Sequence, residues 1–245
     1  MEVIKTTFNG LFFGSIGTLL GGFIGCSFKK ISNKILSFIL SFASGLMLSI
    51  ICFDLLTEAL NTANIYSVIF GIIFGSFCMI ICDSFVNEKI SKKSKKINTL
   101  LKTGIVVSIG LALHNIPEGL AIGTGFESSA RLGLSLAIAI AIHDIPEGIS
   151  MSAPLKASGL HTTKILLYVL LSGIATGIGA LIGGFVGKIS PYIISISLAF
   201  AAGAMLYIVS GELTPEYSKL YSGKITALGN ILGFIIGFIA TKISG

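Results

Sequence analysis

A chain of 245 residues that is 53% hydrophobic and 11% charged, with a mean hydropathy of +0.94, falls outside the soluble class. Soluble domains carry about 25% charged residues. The net charge of +6 does not imply a nucleic-acid partner, because the lysines lie in short connections between apolar runs, where they report topology.

Taken in order, the chain holds eight apolar runs of about 20 residues, the length that a bilayer core requires. They cover roughly 8–28, 35–59, 65–87, 100–125, 131–153, 164–187, 191–213 and 224–243. The expectation is an all-α, polytopic membrane protein with eight transmembrane helices, forming a single transmembrane domain over residues 1–245. Residues Met1 to Lys5 lack the basic stretch and cleavage site of a signal peptide, so the first run reads as a retained span. The connection 88–99, with Lys89, Lys92, Lys93, Lys95 and Lys96, reads as a basic cytoplasmic loop. Cys26, Cys52, Cys78 and Cys82 sit in or beside apolar runs and read as small hydrophobes rather than a disulfide framework. His161 reads as a solvated loop residue.

The first, third, fifth and seventh connections carry thirteen of the positive residues, from Lys29, Lys30 and Lys34 to Lys219 and Lys224. The opposite side carries Lys5, Arg131, Lys188 and Lys242. Positive residues favour the cytoplasmic side, which puts both termini outside a cell (plasma or inner) membrane.

The two ends of the chain resemble each other. Gly17, Gly21 and Gly25 match Gly179, Gly183 and Gly187 at an offset of 162, and Phe42 to Leu48 resembles Phe200 to Leu206 at 158. At 158, Asp54 also meets Glu212, and Glu58 meets Glu216. Spans one to three and six to eight therefore read as inverted repeats around spans four and five, an architecture of secondary transporters that puts the substrate near mid-membrane. Asp54 and Glu58 near one mouth, and Glu212 and Glu216 near the other, are candidate entry and exit residues that focus potential for cations. The bland alternative is that all four are interfacial caps.

The central pair of spans carries His114-Asn115-Ile116-Pro117-Glu118-Gly119 and, 29 residues later, His143-Asp144-Ile145-Pro146-Glu147-Gly148. Ionisable residues within a span are costly and mark function. Positions i and i+4 share a helix face, so His114 pairs with Glu118 and His143 with Glu147. Asn115 and Asp144 lie about 100° further round. Each proline removes one backbone donor, freeing carbonyls near Leu113 and from Ala139 to Ile142. Imidazole plus carboxylate suits Zn²⁺, and is acceptable for Fe²⁺, Mn²⁺ and Cd²⁺. The candidate metal residues are thus His114, Asn115, Glu118, His143, Asp144 and Glu147, enough for one or two divalent ions.

At these residues the chain resembles the ZIP (Zrt/Irt-like protein) family of divalent-metal transporters, in its short bacterial, GufA-like branch. The doubled motif carries the resemblance, together with Phe53-Asp54-Leu55-Leu56-Thr57-Glu58-Ala59 and the run from Ala199 to Glu216. The resemblance implies uptake of Zn²⁺, and sometimes Fe²⁺, Mn²⁺ or Cd²⁺, toward the cytoplasm. It also implies a binuclear site from the six residues above, an elevator-like movement of one helix bundle against another, and often a homodimer. In one place the chain departs from the family. Many relatives have Glu-Pro in the sixth span, where this chain has Thr176-Gly177, which weakens or removes the second metal. The residues leave a metal-selective channel open beside a carrier. A membrane-embedded metallohydrolase fits less well, since no His-Glu-x-x-His run is present. The transported ion, rather than any resident cofactor, is the expected ligand.

Overall fold

The computed structural model describes residues 2–27, 32–93 and 99–244. Among these residues there are eight helices and no strand: α1 (Glu2–Ser27), α2 (Asn33–Thr62), α3 (Ile65–Lys93), α4 (Thr99–Ser128), α5 (Ala130–Ala157), α6 (Thr162–Val186), α7 (Pro191–Leu220) and α8 (Lys224–Ser244). Seven of them, all but α4, are long and apolar enough to cross a membrane by length and composition, counted over the described residues. The protein is a polytopic helical membrane protein.

The helices follow the apolar runs but outlast them, because backbone bonding continues past the hydrocarbon. Helix α3 runs through Lys93, so most of the expected basic loop is helical. Lys95 and Lys96, like Lys29 and Lys30, lie outside the described residues. His161 is exposed as expected, yet it caps α6 by accepting a bond from the Thr163 amide on Nδ1.

Serine starts three of the helices. Ser32 Oγ accepts from the Ile35 amide and Ser190 Oγ from the Ile193 amide, both at 3.3 Å, and Ser129 Oγ accepts from the Leu132 amide at 3.1 Å. Each bond satisfies one of the amides a first turn leaves without a helical partner. Ser32 and Ser190 are 158 residues apart, as are the limits of α2 and α7. Each of these two helices contains a short π segment, Ile51–Leu55 and Ile208–Leu213, again in corresponding places.

The contacts recur at the same offset. A Cβ on Gly75 would meet the Phe200 carbonyl, and one on Gly233 the Phe42 carbonyl. Gly203 approaches Ile72, while Gly45 approaches Asn230. In the first and sixth helices the spacing is 158 as well, not 162. Gly21 faces the Ile145 carbonyl where Gly179 faces that of Ile116, and Gly148 faces Thr18 where Gly119 faces Thr176.

Packing divides the helices into two bundles. Helices α1, α4, α5 and α6 pack on one another, and α2, α3, α7 and α8 do the same. The bundles meet where Leu46, Met47, Ile50, Leu198, Ala202 and Met205 bury against Ala121, Ile122, Leu136 and Ile140. The outer faces of α3 and α8 expose large apolar side chains such as Phe70, Ile73, Phe77, Ile231 and Ile235. Hydrocarbon is the solvent that suits those faces.

Close approach at Gly119 gives a direct test. A methyl there would run into the Thr176 carbonyl, which is backbone and has little freedom to yield. Gly119→Ala is expected to destabilise the chain by about 1–3 kcal/mol, the usual cost of overpacking, measured as a lowered unfolding temperature in detergent. The open position Gly110, where a Cβ meets nothing within 4 Å, is the control, and Gly110→Ala should show no loss, since alanine is also the better helix former.

Candidate metal centre

Both hexapeptides lie on unbroken helix, with Pro117 inside α4 and Pro146 inside α5. The helices pack along each other so that the two motif faces meet. His114 is 1% exposed, and Asn115, Glu118, His143, Asp144 and Glu147 are 0% exposed. Helix α4 supplies the first three and α5 the others, so neither helix alone can form the site.

Four of the six converge. His114, Glu118, His143 and Glu147 each offer a donor atom within 4.8 Å of the rest. His143 Nε2 lies 2.7 Å from Glu118 Oε1. His114 Nε2 lies 3.0 Å from Glu118 Oε1 and 3.1 Å from Glu147 Oε1, yet neither contact has hydrogen-bond alignment. His143 Nε2 and Glu118 Oε1 therefore hydrogen-bond each other, while His114 Nε2 and Glu147 Oε1 face the same centre without a hydrogen bond. Bonds of 2.0–2.2 Å to a tetrahedral Zn²⁺ separate ligand atoms by about 3.3 Å. The observed separations need to open by only a few tenths of an ångström.

Self-pairing does not satisfy this cluster. Glu118 Oε2, both Glu147 oxygens, both Asp144 carboxylate oxygens and Asn115 Oδ1 are buried without a hydrogen-bond partner. Uncompensated buried carboxylates cost several kcal/mol each, and a bound cation relieves that cost. Two neutral imidazoles and two carboxylates sum to −2, which one divalent ion neutralises.

Second contacts hold two of these residues in place. The carbonyl of Ala139 lies 3.3 Å from His143 Nδ1, so a proton on Nδ1 leaves Nε2 free to bind metal. This is one of the carbonyls expected near the Pro146 kink. Asn115 Nδ2 donates to the Ser172 carbonyl at 3.0 Å and to Ser172 Oγ at 3.2 Å. That fixes the amide with Oδ1 available. Sequence reasoning missed Ser172 in this role. A serine in an apolar span was the available signal. Asp144 stands beside the four, 3.5 Å from His143 Nε2, with its Cβ against Gly17 of α1. Thr176 is buried on α6 with Oγ1 unpartnered.

The acidic pairs in α2 and α7 differ. Glu212 and Glu216 line a cavity of about 500 Å³ that also includes Asp83, Gly110, Leu111 and His114, so they lie on an open path from the end of the bundle to the cluster. Asp54 and Glu58 are not on that path. Asp54 is 8% exposed within the first π segment, and Glu58 accepts a hydrogen bond from Ser128 of α4.

Residues 86–244 match the family model described as ZIP zinc transporter. The chain is 35% identical over 139 residues to zinc transporter ZIP11 of Xenopus tropicalis, covering 54% of this chain and 41% of that protein. It is 34% identical over 142 residues to zinc transporter GufA of Myxococcus xanthus, covering 58% and 56%. Similarity to zinc transporter ZupT of Salmonella newport is lower, 28% over 229 residues, but covers 89% of each chain. The chain matches only 40–41% of the length of its ZIP11 relatives.

Proposed function

We propose that this chain, which belongs to the ZIP zinc transporter family, carries Zn²⁺ across a cell membrane by alternating access. The observation that carries the reading is the buried convergence of His114, Glu118, His143 and Glu147, with His114 also lining a cavity that holds Asp83, Glu212 and Glu216. Asn115 and Asp144 complete the site from beside it. Fe²⁺, Mn²⁺ and Cd²⁺ suit the same donors and are secondary cargo. The family is one of transporters rather than enzymes, which leaves the hydrolase reading without support.

Eight spans form one transmembrane domain in this proposal, with α4 as the eighth. The halves α1–α3 and α6–α8 are inverted repeats about α4 and α5. Reciprocal glycine contacts at a constant spacing support that reading. The charge bias supports placing both termini outside, which turns the Glu212–Glu216 end toward the cytoplasm. The cavity then belongs to an inward-open state. Movement of α1, α4, α5 and α6 as a body against α2, α3, α7 and α8 would close it and open the Asp54–Glu58 side.

Proteoliposomes containing the chain test the proposal. Zn²⁺ influx should saturate with external zinc and be faster than into empty vesicles. Influx that rises linearly without saturation favours a channel. Zinc retained stoichiometrically through dialysis without any flux would sink transport altogether.

A further inference from the structure

We propose that Ser128 is a latch residue that holds the Asp54–Glu58 side of the protein shut, and that the opposite side lacks its counterpart. The inference rests on the carrier reading above. Ser128 is the last residue of α4, in one bundle, and its Oγ donates to Glu58 Oε1 of α2, in the other. The bond therefore ties the two bundles together where they must part for that side to open.

The internal correspondence shows what the other side has instead. Glu58 maps to Glu216, 158 residues later, and Ser128 maps to Ala157, 29 residues later and the last residue of α5. Alanine has no donor to offer a carboxylate. Ala157 is exposed, and Glu216 lines the open cavity.

The packing around each carboxylate agrees with this asymmetry. Cavity residues Val107, Gly110 and Leu111 correspond to Leu136, Ala139 and Ile140, which are 0%, 6% and 0% exposed. Ile208 and Leu213, 1% and 4% exposed, are nearly as buried as their mates Ile50 and Leu55, both 0%, so the difference lies at Val107 and Gly110. Two bulkier side chains, Leu136 for Val107 and Ala139 for Gly110, fill the closed side. A hydrogen bond to a carboxylate is among the stronger polar contacts, so having one between the bundles at only one mouth, among the described residues, biases the resting protein toward the state open at Glu212 and Glu216.

Thiol accessibility reads this bias without depending on transport. In the full chain with Cys26, Cys52, Cys78 and Cys82 replaced by alanine, single cysteines at Gly110 and at its mate Ala139 report the two sides. The probe is a small charged methanethiosulfonate applied to both faces of proteoliposomes. Ser128→Ala should speed modification at position 139 by about threefold or more and slow it at 110, whereas Ser128→Thr, which keeps the hydroxyl, should match the parent. Ala157→Ser supplies the missing donor and should shift both rates in the direction of Ser128→Ala. Unchanged rates at both positions in Ser128→Ala, with zinc flux intact, overturn the latch. Shifted rates in a chain that carries no zinc in any form leave the latch standing and remove the carrier.

Discussion

His143→Ala is expected to lower Zn²⁺ influx into proteoliposomes by at least about 100-fold, and Glu147→Ala to do the same. The two residues are half of a four-donor set whose ligand atoms lie within 4.8 Å of one another. Losing even an outer partner of a metal ligand commonly costs 10–100-fold in affinity, and these are the proposed ligands themselves. His143 has a second function in the free protein, since its Nε2 lies 2.7 Å from Glu118 Oε1. Its removal leaves that carboxylate oxygen without its nearest positive or donor group. Glu147 differs, because both its oxygens are buried without hydrogen-bond partners. Glu147→Gln should therefore lose flux while raising the metal-free unfolding temperature, since a neutral amide costs less to bury than a carboxylate without hydrogen bonds, even one with His114 Nε2 at 3.1 Å. A variant that loses activity and gains stability separates a binding role from a structural one. Full flux in both alanine variants would eliminate the site.

The hexapeptides and the four donors were legible in the sequence because helix geometry alone puts i and i+4 on one face. The meeting of the two faces depends on how α4 and α5 pack, and was expected only from the family resemblance. The repeat was legible in outline but misread by one turn in the first and sixth spans. Gly17, Gly21 and Gly25 recur every four residues, as do Gly179, Gly183 and Gly187, so the two patterns slide past one another by one turn with little loss. Contacts remove the ambiguity by pairing Thr18 with Thr176 through Gly148 and Gly119. The π segment at Ile51–Leu55 has no proline or glycine to announce it. Its mate at Ile208–Leu213 precedes Pro215, which cannot bond the Gly211 carbonyl and gives a local reason for the widening. The acidic pairs looked equivalent because residue type is symmetric there. Their different surroundings arise from Ser128 and Ala157, far away in sequence.

Equilibrium titration of the purified chain should find one tight divalent site, and Thr176→Glu should add a second. The argument is electrostatic. One Zn²⁺ among His114, His143, Glu118 and Glu147 is already neutralised by the two glutamates. A second ion beside Asn115 and Asp144 finds a single carboxylate and an amide, leaving +1 where both residues are 0% exposed, and Thr176, also 0% exposed, brings no charge. An unbalanced buried charge costs several kcal/mol, which corresponds to a loss of at least about 10³-fold in affinity. A glutamate at 176 supplies the missing negative charge. Without metal it also adds to the repulsion around Asp144, whose carboxylate oxygens have no hydrogen-bond partner. The variant should therefore be less stable than the parent when metal-free and gain more stability from zinc. Two sites of matched affinity in the parent, or a single site in Thr176→Glu, would contradict the charge argument and return weight to Asp144 as a full partner in a binuclear centre.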